Sequence, residues 1–300
     1  MDSLSATNMW WGTLGTVRAF PSFHPARDVK EIQSALERKD SGTLVRILSN
    51  RSNAQRQVIA NTFQEITAKD LSAALKKVLS GDLEDLLVHL LLLPEQLEAR
   101  RLQQAMVGLG TDEETLLEIL CTRSGKRLQE IAGSYGQMFR KDLEKELRGE
   151  TSGDFSKLVV SLLKALTVSL NGKKADPGPW IDILTSRELE HLDKVLMGVE
   201  LENGQTVEEL VEKRFSGDLR LGFRVLVQCI QNPEVYLAKR LATMKTPLVH
   251  GIMVSHSEED LLMIRAAFLK LTKKSLYSTL QNHFKGEHLQ ALLAICRSED

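Results

Sequence analysis

One interval recurs four times in this 300-residue chain, and it limits what the chain can fold into. Each occurrence opens on a polar segment and closes on a small–glycine–acidic step. The openings are Arg51 in NRSNAQRQ, Arg123 in TRSGKRLQE, Arg187 in SRELEHLDK and His256 in SHSEEDLL. The closings are Gly81 in SGDL, Gly153 in SGDF, Gly217 in SGDL and Gly286 in KGEHL. All four separations are 30 residues. A fixed period of this kind marks tandem units that stack to build one core. From glycine to glycine the steps are 72, 64 and 69 residues. Length therefore varies ahead of each opening, in connections that tolerate it.

Within a unit the pattern is helical. Leu128, Ile131, Tyr135, Met138 and Phe139 are spaced as on one helix face, and Leu143, Leu147, Phe155, Leu158, Val159 and Leu162 continue the pattern. Aromatic residues are only 5% of the chain and prolines number 7, which suits short helices better than a sandwich of strands. The step Ser152-Gly153-Asp154 predicts a helix ended by glycine and a new one capped by aspartate. We expect an all-α chain with four or five short helices per unit. The opening arginines are expected to be structural, capping carbonyls at helix ends with their five donors.

Composition removes several classes. Lys plus Arg is 39 and Asp plus Glu is 40, a net charge of −1, so no global field attracts nucleic acid. Cys121, Cys229 and Cys296 are widely spaced and form no CxxC pair, so three reduced core thiols are expected. The start lacks the pattern of a secretory signal, and the apolar run Leu86 to Leu93 is too short for a membrane span. A cytoplasmic location is the expectation. No two of the seven histidines stand three or four apart, and no GxSxG occurs. Neither zinc nor nucleophilic catalysis is supported, and the chain is read as a non-enzyme. Trp10 and Trp11 are expected to pack on the core, with an interfacial membrane role as the alternative. Arg100-Arg101, Lys173-Lys174 and Lys273-Lys274 read as solvated faces, with contact to anionic lipid or glycan as the alternative.

The segment Met106-Val107-Gly108-Leu109-Gly110-Thr111-Asp112-Glu113-Glu114 carries the chemistry. Its two glycines permit a tight turn that aims carbonyls at one centre, and a helix follows. Hard cations such as Ca²⁺ take carbonyl and carboxylate oxygens. The loop lacks a facing carboxylate, which Glu150, 40 residues after Gly110, could supply from a later helix end. A nucleotide loop is excluded, because no strand precedes GLGT and the third glycine is missing.

GLGTDEETLLEIL followed after 40 residues by an acid, together with RSNAQRQ and the four units, resembles the annexin family over nearly the whole chain. The resemblance implies four repeats of about five short helices forming a curved disc. After a short N-terminal segment, 1–25, the repeats are placed at 26–93, 94–165, 166–232 (shortened) and 233–300. It also implies Ca²⁺-dependent binding of acidic phospholipid by a peripheral, monomeric protein at the inner face of membranes. By the family pattern the carbonyls of Met106, Gly108 and Gly110 and the carboxylate of Glu150 hold one Ca²⁺. Thr111 and Glu113 would hold a weaker ion nearby. Water and a lipid phosphate oxygen would complete the shell, so calcium affinity should rise with lipid.

The repeat frame makes the other units checkable. The place of Gly110 is taken by Arg38 and Lys174 in units one and three, and the place of Glu150 by Val78, Arg214 and His283. In unit four Met244-Lys245-Thr246-Pro247-Leu248 lacks the glycines. Those three sites are expected to be lost, leaving weak binding through one site without the gain of linked sites. The alternative is a calcium-independent protein-interaction scaffold that has lost lipid binding. In unit three, Leu162 to Leu170 is expected to extend the preceding helix in place of a separate first helix.

Overall fold

A computed structural model describes residues 8–9, 12–108, 110–164, 177–186 and 189–297. Trp10, Trp11, Leu109, Lys173, Lys174 and Arg187 lie outside them, as do residues 165–170 of the expected helix extension. The first set of helices is α1 (Pro25–Arg38), α2 (Ser41–Leu48), α3 (Asn53–Thr67), α4 (Leu71–Leu75) and α5 (Gly81–Leu91). The second is α6 (Pro94–Met106), α7 (Glu113–Thr122), α8 (Gly125–Phe139), α9 (Leu143–Glu150) and α10 (Gly153–Lys164). The third holds four helices among the described residues: α11 (Pro177–Ser186), α12 (Leu189–Asn203), α13 (Val207–Arg214) and α14 (Gly217–Gln231). The fourth is α15 (Pro233–Leu241), α16 (Thr246–His256), α17 (Leu261–Thr272), α18 (Leu276–His283) and α19 (Gly286–Cys296). Before them, β1 (Asn8–Met9) pairs antiparallel with β2 (Gly12–Thr13), a two-residue ladder that leaves the fold all-α.

The backbone repeats as the sequence does. Seventeen residues after each opening position stands a left-handed residue that stops the long third helix: Ala68, Arg140, Gly204 and Lys273, at φ of 54, 58, 61 and 61°. Gly81, Gly153, Gly217 and Gly286 then sit at φ of 63, 58, 59 and 62°. Nothing would touch a Cβ at these four glycines, so dihedral freedom rather than space calls for glycine there. One expectation is corrected. The glycine does not end the fourth helix; it is the first residue of α5, α10, α14 and α19. The aspartate does not cap that helix; Asp82, Asp154 and Asp218 lie in its first turn, where a negative charge favours the helix dipole.

The helices divide into two compact units, 1–97 with 237–300, and 98–236. In the first unit, α19 packs on α2 and α5, and α16 packs on α5 and α19. Ile32, Leu44, Ile59, Leu86, Val249 and Leu292 are buried there. The segment leading into α1 is tied to the last helices. The Val17 amide donates to the Ser257 carbonyl (2.8 Å), and the Thr16 hydroxyl donates to the Ile295 carbonyl (2.6 Å). A Cβ on Gly15 would meet the Glu258 backbone at 2.4 Å, so this approach requires glycine. In the second unit α7 packs on α14, and α10 on α11 and α14. Gly222 permits the second approach, since a Cβ there would meet Leu158 Cδ2 at 2.5 Å. All three cysteines are free and buried as expected, and the α7–α14 packing places Cys121 close enough to Cys229 that burial, and then Cys121, push the Cys229 thiol up.

Arg51 and Arg123 are structural, by a different contact from the one expected. Arg51 forks onto Asp28, with Nε–Oδ2 at 2.7 Å and Nη2–Oδ1 at 2.9 Å. Arg123 holds Glu98 at 2.6 Å. Carboxylates on α1 and α6, rather than helix-end carbonyls, are their main partners. Helix-end carbonyls go largely to Arg56, which donates to those of Leu90 (2.6 Å), Leu48 (3.3 Å) and Arg51. Arg101 is no solvated residue. It is buried between Glu98 (3.0 Å) and Glu118 (2.5 Å), and although burial pulls its pKa down, those two carboxylates hold it above the ordinary value. Lys273 and Lys274 are exposed as expected.

Candidate cation site

The connection from α6 to α7 is closed by hydrogen bonds at its base. The Asp112 amide donates to the Ala105 carbonyl (2.8 Å), and the Val107 amide to that of Gln104 (3.4 Å). Between them Gly108 and Gly110 take φ of 116 and 89°. No atom lies within 4 Å of a Cβ built at either position. Glycine is needed there for the backbone's hand and not for room. The Met106 side chain is buried, so its main chain is what it can present to the loop. Val107 is 63% exposed at the start of the turn.

Asp112 is spent on the fold: its carboxylate accepts from the Thr115 amide (3.0 Å) and hydroxyl (2.7 Å), capping α7. Glu113 and Glu114 follow in the first turn, half-buried, where the helix dipole favours them. The loop is joined to the end of α9 by one bond. The Thr111 hydroxyl donates to the Glu150 main-chain carbonyl at 3.1 Å. This bond brings together two sequence-predicted site residues 39 positions apart.

Glu150 is the last residue of α9 and exposed. A carboxylate there faces the negative end of a helix dipole, which costs about 0.3–1 kcal/mol at a surface. Its field reaches inward: burial, then Glu146 and then Glu150 push the Tyr135 hydroxyl up to about 12. Tyr135 in turn donates to Gln103 Oε1 on α6.

The matching places in the other sets differ. Arg214 and His283 are the last residues of α13 and α18, where a positive charge suits the dipole. Val78 follows the short α4. The α1–α2 connection is residues 39–40, against residues 107–112 in the second set. The α15–α16 connection is residues 242–245. Thr246 and Pro247, read from sequence as loop, already belong to α16. Among the described residues no three His, Cys, Asp or Glu side chains gather as a metal cluster. An ion at the α6–α7 loop would draw mainly on main-chain oxygens. Left-handed glycines, an open turn and one exposed helix-end carboxylate are the donor set a hard, oxygen-seeking cation takes.

Sequence reasoning missed the buried Glu98–Arg101–Glu118–Arg123 network and the cluster of His250 with His288 (Nε2–Nε2 2.7 Å). Packing of α16 on α19 produces that second pair from residues 38 apart, and no local spacing signals it.

Tandem sets of short helices that repeat one dihedral signature, with a glycine loop in the second set joined to a helix end, define an α-helical repeat protein. The family profile described as Annexin matches residues 27–90, 97–162 and 245–295, more than half of the chain. The mouse (Mus musculus) protein Annexin A9 is 36% identical over 97% of this chain and 92% of its own length. Among solved structures, annexin III covers 95% of this chain and 98% of its own, with a TM-score of 0.91 and 32% identity. Chicken annexin V in complex with Zn²⁺ covers 95% and 99%, with a TM-score of 0.87 and 34% identity. The chain belongs to the annexin family. Annexins generally bind phospholipid membranes in a calcium-dependent way. No helix among the described residues is long and apolar enough to cross a membrane.

Proposed function

We propose that this protein attaches peripherally to acidic phospholipid through one Ca²⁺ held in the second repeat. The carbonyls of Met106, Gly108 and Gly110 and the carboxylate of Glu150 would hold the ion, with Thr111 and Glu113 at a weaker neighbouring position. The observation that carries this reading is Glu150 itself. It stands at the unfavourable end of α9, bonded through its main chain to the glycine loop. A residue kept against the local dipole has a use for the charge. Bound Ca²⁺ would supply a positive charge that a lipid phosphate can share. The chain's own part is to fix the loop by the Asp112 cap and to bring α9 to it through Thr111. Val107, exposed beside the loop, would rest at the headgroup boundary. The protein would act as a monomer in the cytoplasm, at the inner face of membranes, and without enzymatic activity.

Co-sedimentation with phosphatidylserine vesicles over a calcium series tests this. Binding should rise with Ca²⁺, be reversed by EGTA and be weakened at least tenfold in Glu150→Gln. Equal binding in EGTA would overturn it. That outcome favours the second reading, a calcium-independent protein-interaction scaffold, which the loss of the acid at Val78, Arg214 and His283 supports.

A further inference from the structure

At the end of α2 opposite its connection to α1, a pocket of about 460 Å³ opens to the surface. Four arginines line it: Arg18, Arg46, Arg51 and Arg297. Two have carboxylate partners. Arg51 is forked onto Asp28, and Arg46 meets Glu31 at 2.7 Å. Those two carboxylates are thereby spent, Glu31 being shared with Arg27 as well. Arg18 and Arg297 have no carboxylate partner among the described residues. Burial first, and then Arg18, hold Arg297 below its ordinary pKa.

The wall is built rather than incidental. Gln55 clamps the main chain of Phe20 from both sides, accepting from its amide at 2.8 Å and donating to its carbonyl at 2.9 Å. The Phe20 ring then lies 4.1 Å from the Arg51 guanidinium carbon. Arg297 caps α19 at φ 75°, a left-handed conformation in which a long side chain is strained and glycine is not. Two guanidinium groups without a carboxylate partner among the described residues, lining one open pocket, can receive a doubly charged oxyanion, since each offers paired donors to two oxygens.

We propose that this cavity binds a phosphate group, as inorganic phosphate or as a phosphate monoester, through Arg18 and Arg297. The site is separate from the calcium loop in its chemistry and needs no metal. The class is phosphate rather than carboxylate because two forked donors match a dianion with three free oxygens.

Calorimetric titration of the full chain with inorganic phosphate, in EGTA at fixed ionic strength, tests the proposal. The double variant Arg18→Gln/Arg297→Gly should bind at least tenfold more weakly, while Arg27→Gln, an exposed arginine on the same unit, should match the wild type. Arg297→Gly alone should raise the melting temperature, because it relieves the left-handed strain, and lower phosphate affinity. A lowered melting temperature would show that Arg297 serves only as a helix cap and would overturn the proposal. So would an absence of phosphate binding, or equal loss in Arg27→Gln. A second arm uses phosphatidic acid vesicles in EGTA. Pelleting lost in the double variant assigns the phosphate to a lipid headgroup. Phosphate binding without pelleting assigns it to a soluble source.

Discussion

Helices α9 and α13 are the same element built twice. Each has eight residues, each is capped by an extended residue (Thr151 at φ −127°, Phe215 at φ −121°), and each cap amide donates to a carbonyl four residues back, Leu147 or Val211. Helix α18 repeats the arrangement through Phe284 and Leu280. The last side chain changes from Glu150 to Arg214 to His283. Arg214 is what helix electrostatics favour at that end, and Glu150 is what it disfavours. The backbone of a repeat is therefore independent of its site. The second repeat keeps a charge that its own helix does not want, while the third and fourth have settled into the stable choice.

The largest expected effect comes from erasing the difference. Glu150→Gln should reduce calcium-dependent vesicle binding at least tenfold, measured by co-sedimentation, while circular dichroism shows an unchanged fold. Next is the loop. Gly110→Ala forces a side chain into φ 89°, a strain of about 1–3 kcal/mol. It should weaken calcium binding by roughly tenfold in calorimetry, since 1.4 kcal/mol is a factor of ten. Val107→Ser should lower vesicle affinity a few-fold, because a Val side chain is worth about 1.5–3 kcal/mol only when fully buried. Calcium binding without lipid should stay the same in that variant. If it falls as well, Val107 shapes the loop rather than touching the membrane.

The smallest effect asks whether the acid alone makes a site. His283→Glu gives α18 the ending of α9, yet its neighbouring connection, residues 242–245, has no glycine. Calcium stoichiometry should not change. Stability should fall by about 0.3–1 kcal/mol in chemical denaturation, the cost of a carboxylate at a helix C-terminus. A second calcium equivalent in this variant would break the comparison, because loop geometry would then matter less than charge.

Much of this was legible from residue spacing. The four 30-residue intervals reappear as four left-handed glycines, and the offset of 27 from Arg123 correctly placed Glu150, like Arg214 and His283 by the same rule, at a helix terminus. The glycine–aspartate step was misassigned by one helix, because composition marks a junction without saying which side owns it. Arg51 and Arg123 are structural as expected, with carboxylate partners in place of the expected carbonyls. Asp28 and Glu98 lie 23 and 25 residues before Arg51 and Arg123, a separation that no helical period connects.

The sequence by itself determined the period, the helices and the glycine loop between α6 and α7. These follow from local rules: dihedral preference, capping and face periodicity act within a few residues. Only the tertiary structure decided that the first and last sets share one compact unit and the middle two another. It alone buried Arg101 between two glutamates, brought Cys121 to Cys229, and left Arg18 and Arg297 facing one cavity across 279 residues of chain. Those pairings depend on which apolar faces cover each other, and that choice is made by burial across the whole chain rather than by any segment of it.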